Sequence, residues 1–401
     1  MELKEKTLFE ANKFFIAGEY KKGIKTLKEF LKIHINDYDA SLALSIFYEI
    51  TKEKSKSFKL LKKLINDYPN EAPSYNNLGN LLYKDGSIDE AIKNLKIALS
   101  LDSSLENVHN NLADYLYIKG EYKEAISFYI ESPKANTAEI LRCLLAQKNY
   151  NKFWELLEEN INEKNSYLIN SDYENIKVAA ISAYASEKLG VSDIYPFCPN
   201  PLEFIYKNKI NFLDSNITDL FKDLKLLSNT LDTESRSQDL LKNGIQTSGN
   251  FFSNDLLGEK LAKYVGSLLV GYKNHFSNKD CYLINHWPKN IRLNGWTIHM
   301  NNSGSISSHN HEKGWVSGSL YLQIPSDITH DEGAIKFSLE GPRYPKINKN
   351  IVQSKTMKIE TGDIIMFPSS LFHNTIPFKS SKKRITFAFD LAPPEKDEYS
   401  R

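Results

Sequence analysis

Up to about residue 190 the apolar positions recur every three or four residues, as in "YNNLGNLLYKDGSIDEAIKNLKIAL" from Tyr75 and "AEILRCLLAQKNYNKFWELLEENI" from Ala138. That spacing predicts a run of amphipathic helices. The run ends in "YPFCPNPLEF", Tyr195 to Phe204, where Pro196, Pro199 and Pro201 crowd together. Two more helical stretches are expected at about 215 to 230 and 254 to 274. Beyond them the period changes to two. "IRLNGWTIHM", "GSLYLQI", "AIKFSLE", "KTMKIE", "IIMFP" and "RITFAFDL" read as short strands parted by Gly, Pro, Ser and Asn turns. Many short strands without intervening helices point to a β-sandwich or barrel.

The helical part is internally repetitive. Leu78, Gly79, Leu82, Gly86 and Ala91 recur 34 positions later as Leu112, Ala113, Leu116, Gly120 and Ala125. Stepping back by the same interval finds Ser45, Tyr48, Ser57 and Leu61, then Ala11, Phe14, Gly23 and Leu27. Small residues in phase let paired helices approach closely. Gly18, Gly86 and Gly120 stand where a first helix should end, whereas Lys52 occupies that place in the second unit. Unrelated amphipathic helices are the alternative, but four in-phase sets favour a helix-turn-helix array. The pattern resembles the tetratricopeptide repeat (TPR) over about residues 4 to 135. The resemblance implies a solenoid with a concave groove for a protein or peptide partner. The expected organisation is therefore a TPR solenoid at 1–135, capping and connecting helices at 136–195, and a β-domain at 196–401.

Composition narrows the function. Lys plus Arg is 51 and Asp plus Glu is 50, so no bulk field draws the chain to nucleic acid. The longest apolar stretch, around Tyr264 to Tyr272, is about half of the roughly 20 residues that a membrane span needs. The N-terminal "MELKEKTLFE" lacks the apolar core of a secretory signal. Cys143, Cys198 and Cys281 are scattered thiols without CxxC spacing, which fits a reducing, cytoplasmic setting.

Candidate chemistry centres on "ISSHNHEKGW", Ile306 to Trp315. On a strand, residues two apart share a face, so His309 and His311 could aim at one ion; otherwise they are loop residues. His373, in "GDIIMFPSSLFHNTIPF", is the best third ligand. In "KKRITFAFDL", Ile385, Phe387, Phe389 and Leu391 make one face, and Arg384, Thr386 and Ala388 the other. A guanidinium beside a hydroxyl suits a small carboxylate. An exposed arginine at a strand start is the alternative. His34 and His109 read as residues of solvated helix faces. His275, His286, His299 and His330 have no ligand spacing.

"HNHEKGWVSGSLYLQIP", "GAIKF", "IETGDIIMFPSSLFHNTIPF" and "KRITFAFDL" together resemble the 2-oxoglutarate/Fe(II)-dependent oxygenases, over roughly residues 196 to 395. "GIQTSGNFF", Gly244 to Phe252, is similar to their entry segment. The resemblance implies a multidomain α+β protein whose C-terminal domain is a double-stranded β-helix (jelly-roll). It also implies Fe(II) and 2-oxoglutarate as cofactors, and hydroxylation as the reaction. It places His309, His311 and His373 as metal ligands, and Arg384, Thr386 and Tyr321 as 2-oxoglutarate contacts. No catalytic residue beyond the metal ligands is implied. His311 stands where most of that superfamily has a carboxylate, which leaves the metal more positive by about one charge. Two rivals remain. A cupin-type metal protein would want a glutamate where Trp315 and Val316 stand, and a non-catalytic TPR adaptor would carry a degenerate barrel.

Overall fold

The computed structural model describes residues 2–133, 136–164, 173–230, 235–236, 240–247, 250–252 and 256–393. The chain divides into two compact units, Met1–Cys143 and Leu144–Arg401. No helix among the described residues is long and apolar enough to cross a membrane.

The first unit consists of helix pairs. They are α1 (Glu2–Ile16) with α2 (Tyr20–Ile33), α3 (Tyr38–Ile50) with α4 (Lys54–Asp67), α5 (Ala72–Lys84) with α6 (Ile88–Leu101), and α7 (Glu106–Lys119) with α8 (Tyr122–Glu131). Within each pair the helices pack on each other, and the first helix of one pair touches the first helix of the next. Leu27, Leu61, Leu95 and Tyr129, one per repeat, are all buried. The small residues meet as their phase predicts. The Ser57 hydroxyl donates to the Ser45 carbonyl at 2.9 Å, and a Cβ at Gly79 would press on Leu95 and on the Ala91 carbonyl at 3.0–3.1 Å. Gly18, Gly86 and Gly120 turn the chain with φ of 74°, 88° and 89°, and Lys52 is held in the same left-handed region at 63°. That conformation costs a residue with a Cβ about 1–2 kcal/mol, which explains the glycine elsewhere.

His109 departs from expectation. It is buried rather than solvated, and a ring nitrogen bonds the Ser103 carbonyl at 3.0 Å. The unit closes on α9 (Thr137–Ala146). There Arg142 lies over the Tyr117 ring, pairs with Asp114 at 2.9 Å and donates to the Tyr129 hydroxyl.

The second unit holds helices α10 (Tyr150–Lys164), α11 (Tyr173–Leu189), α12 (Ser215–Thr230), α13 (Leu256–His275) and α14 (Tyr282–Asn285). Its strands are β1 (Tyr206–Lys209), β2 (Ser235–Arg236), β3 (Leu241–Thr247), β4 (Arg292–Ile306), β5 (Val316–Gln323), β6 (Ile335–Ser338), β7 (Ser354–Met357), β8 (Asp363–Pro368), β9 (Phe372–Thr375) and β10 (Arg384–Ala392). They form a larger antiparallel sheet, ordered β1-β8-β5-β10-β4-β3-β2, and a smaller one, β7-β6-β9. This two-sheet antiparallel layout is that of a double-stranded β-helix domain.

β10 organises the site. It lies between β4 and β5, with Arg384 opposite Met300, Thr386 opposite Ile298 and Tyr321, and Ala388 opposite Trp296. Because side chains alternate, Ile385, Phe387, Phe389 and Leu391 all enter the core on one side. Gly318, paired with Phe389, leaves room for that ring, which any Cβ would overlap. Arg384, Thr386, Ala388 and Asp390 are left facing the other way.

Candidate metal centre

His309 and His311 lie in the connection between β4 and β5, not on a regular strand. Backbone bonds nevertheless hold them extended. His309 and His373 exchange N–H···O bonds of 3.1 and 2.8 Å, and the His311 N–H donates to the Ser369 carbonyl at 3.0 Å. His373 is the second residue of β9 and does not end a strand; the turn Ser369–Leu371 separates it from β8. The isolated bridge between residues 309 and 373 brings the distant histidine to the HxH pair.

The three imidazoles converge. Their ligand atoms all lie within 4.8 Å of one another, and the ring centroids are 4.4 to 5.2 Å apart. In each ring Nδ1 already has an acceptor. His309 Nδ1 donates to the Ser307 carbonyl at 2.9 Å, His373 Nδ1 to the Leu371 carbonyl at 3.4 Å, and His311 Nδ1 to Asp390 Oδ1 at 2.6 Å. Carbonyl and carboxylate oxygens only accept, so Nδ1 carries a proton in each ring, which in a neutral imidazole leaves the Nε2 lone pair free. Burial, followed by the neighbouring imidazole of His311, pushes His309 down to about 4. Burial and then His309 and His311 hold His373 well below the usual range. These two rings are therefore neutral at pH 7, which is the ligating form.

Arg384 has no exposed role. It is 3% exposed, and among the described residues it has no carboxylate partner. Its Nη1 donates to Thr386 Oγ1 at 2.8 Å, its Nε donates to the Gly333 carbonyl at 3.3 Å, and the group lies 5.2 Å from the centroid of the Tyr321 ring. Burial pushes the Tyr321 hydroxyl up to about 12, so it remains a hydrogen-bond donor. His309, His311, His373, Tyr321, Thr386 and Arg384 line one cavity of about 310 Å³. All six residues singled out in the sequence meet there.

Others do not. His299 pairs with Ile385, not Arg384, so it lies on the opposite side of its strand from Ile298 and Met300. Glu312 reaches toward Lys177 at 3.9 Å and is not among the convergent ligand atoms. Trp315, where a cupin would need glutamate, is buried and donates its indole N–H to the Leu283 carbonyl at 2.9 Å. In "GIQTSGNFF", Ser248 and Gly249 lie outside the described residues, while Phe251 and Phe252 each meet Phe387 at 5.7 Å. Sequence reasoning missed Asp390. Its signal was parity: an acidic residue in phase with Arg384 and Thr386 inside an otherwise apolar strand.

Comparison with known proteins fits this architecture. Residues 294–390 match the family model described as "Putative 2OG-Fe(II) oxygenase", and residues 79–117 match the model of the TPR repeat. Those two matches define the class: TPR repeats in the N-terminal region and an oxygenase-type domain at the C-terminus. No curated protein matches the chain. Solved structures that overlap it include a MamA protein, at 19% identity over 41% of this chain and 96% of that one, with a TM-score of 0.36. Another is YrrB, titled a TPR protein with an unusual peptide-binding site, at 15% identity over 39% of this chain and 84% of that one, TM-score 0.33. A prolyl-4-hydroxylase from Pseudomonas putida overlaps at 10% identity over 48% of this chain and 93% of that one, TM-score 0.33. At such scores these overlaps say nothing about chemistry.

Proposed function

We propose that the protein is an Fe(II)- and 2-oxoglutarate-dependent oxygenase that hydroxylates a protein or peptide recruited by its TPR array. One observation carries the reading: a buried guanidinium with no carboxylate partner among the described residues shares a cavity with three imidazoles whose ligand atoms converge. A buried cation is costly unless something anionic meets it. Here the missing partner fits the far carboxylate of a small diacid, with Arg384 giving a two-point grip and Thr386 and Tyr321 as flanking hydroxyls.

The donor set fits the metal as well. His309, His311 and His373 would hold it through Nε2, fewer ligands than an octahedral ion takes, so positions remain for co-substrate and oxygen. Together, bound Fe(II) and 2-oxoglutarate would supply the oxidant that places one atom of O2 into a substrate C–H bond as 2-oxoglutarate becomes succinate and CO2. The protein's own part is to hold His309 and His373 neutral and to give each ring's Nδ1 an acceptor. It also anchors the diacid at one depth and surrounds it with the apolar walls Ile298, Ile335 and Phe367.

The direct test is succinate formation by purified protein given Fe(II), ascorbate and 2-oxoglutarate, with His373→Ala as control. A wild-type protein that binds Fe(II) but makes no more succinate than the variant would exclude the oxygenase and leave a metal-binding barrel. Recruitment is tested separately. Deleting residues 1–135 should weaken turnover of the captured protein substrate while sparing uncoupled succinate formation. Equal turnover by the truncated form would restrict the repeats to assembly.

A further inference from the structure

His311 raises a charge problem that the reading above leaves open. A carboxylate at that place would neutralise one charge of the metal, and an imidazole does not. The structure places a carboxylate directly behind the ring instead. Asp390 Oδ1 accepts from His311 Nδ1 at 2.6 Å, and the pair is largely enclosed, with side chains 12% and 13% exposed.

The surroundings hold that carboxylate in place. The Ser317 hydroxyl lies 2.7 Å from the same Oδ1 and 2.8 Å from the Ser369 hydroxyl. A carboxylate can only accept, so Ser317 donates to Asp390 and must accept from Ser369. Ser369 also holds the other end of His311, because its carbonyl takes the His311 backbone N–H at 3.0 Å. The result is a closed ring: Ser369, Ser317, Asp390, the His311 side chain, the His311 backbone, and Ser369 again. Gly314 completes it, since a Cβ there would overlap the Ser369 hydroxyl. His309 and His373 have no such partner; their Nδ1 atoms donate to neutral backbone carbonyls.

Resting on the proposal that these histidines hold Fe(II), we infer that Asp390 is a positioning residue that returns the missing negative charge through His311. A short, enclosed hydrogen bond to a carboxylate shifts electron density onto the imidazole and strengthens its free nitrogen as a donor. His311 and Asp390 together then do what a single carboxylate ligand does elsewhere. The charge is set back by one ring, and the orientation is fixed by the serine chain.

The test separates charge from orientation. Asp390→Asn is nearly isosteric, and its amide oxygen can still accept from Nδ1, so only the charge is lost. Asp390→Ala loses both. Fe(II) and Co(II) titrations under anaerobic conditions should show Kd rising roughly 10- to 100-fold in Asp390→Asn and at least as far in Asp390→Ala. The visible charge-transfer band formed when 2-oxoglutarate joins Fe(II) should move to shorter wavelength in Asp390→Asn, because a less electron-rich iron gives up its electron less readily. The melting temperature of the metal-free Asn variant should stay near that of the wild type. Wild-type affinity and an unmoved band in Asp390→Asn would overturn the inference, whatever Asp390→Ala does. If the wild type itself takes up neither metal, the oxygenase reading falls first.

A second measurement needs no variant. In Zn(II)-loaded protein with labelled histidine, the His311 Nδ1–H proton should resonate downfield of those of His309 and His373. Three equivalent shifts would equally overturn the inference.

Discussion

Replacing Arg384 by Met tests the anion anchor from two sides. In the ligand-free protein the substitution removes a buried cation that has no carboxylate partner among the described residues, which favours the variant. Against this stand the hydrogen bonds to Thr386 Oγ1 and to the Gly333 carbonyl, worth about 1 kcal/mol each, and a longer contact of Nη1 with Met300 Sδ at 3.9 Å. The terms oppose, so the net change should stay within about 1–2 kcal/mol, or roughly 4 °C of melting temperature for a unit of this size. With 2-oxoglutarate the balance is different. The diacid would bring its far carboxylate to the buried end of the pocket, where the Arg384 guanidinium is gone, at a cost of about 3–5 kcal/mol. At 1.36 kcal/mol per decade, that is at least a hundredfold loss of affinity. Arg384→Lys keeps the charge but not the planar fork, and should fall between the two. The assay is calorimetric titration of 2-oxoglutarate into Mn(II)-loaded protein, with melting curves measured with and without ligand. Two results would refute the reasoning. One is a Met variant that still binds 2-oxoglutarate like wild type. The other is a ligand-free Met variant destabilised by several kcal/mol, which would mean the guanidinium serves a structural ion pair.

The histidines predict a pH dependence in metal-free protein. The unfolded chain gains protons near pH 6.5, but folded His309 stays neutral until about pH 4, so stability should fall as pH drops across that window and level off below it. Urea titrations at pH 7.5, 6 and 5 would check the slope, and a flat profile would contradict it. Lys52→Gly should stabilise the repeat unit by about 0.5 kcal/mol, since relief of the left-handed strain outweighs the added freedom of the unfolded chain. Gly120→Val should do the opposite and by more, about 1–2 kcal/mol, at φ 89°. Denaturant midpoints measure both. Gly318→Val should unfold the second unit or lower its melting point steeply, because the new side chain takes the space of the Phe389 ring; a midpoint within a degree or two of wild type would show that the ring can move aside.

The repeat array was legible because its period is written in small residues, and Gly18, Lys52, Gly86 and Gly120 fall at one phase of it. The β10 cavity was legible for a similar reason: alternation in "RITFAFDL" already separates the apolar layer from Arg384 and Thr386. β1 was not, since "YKNK" sits at a sheet edge, mostly exposed, and carries no apolar alternation. β3 was hidden similarly, its "LKNGIQT" broken by Asn243 at φ 49°. His109 misled because helical phase gives a face but not what covers it. Asp390 needed three-dimensional pairing: no local pattern says that residue 390 will stand behind residue 311.

One strand of nine residues, β10, carries both the guanidinium at 384 and the carboxylate at 390. Six positions, an even number, keep both on the same side. A single-residue insertion between them would turn one of the two into the greasy layer beneath, whichever side of the lesion held its register. This stretch should therefore tolerate exchange of side chains far better than any change in its count, and a chain that lost the parity would lose either the guanidinium or the carboxylate from the cavity.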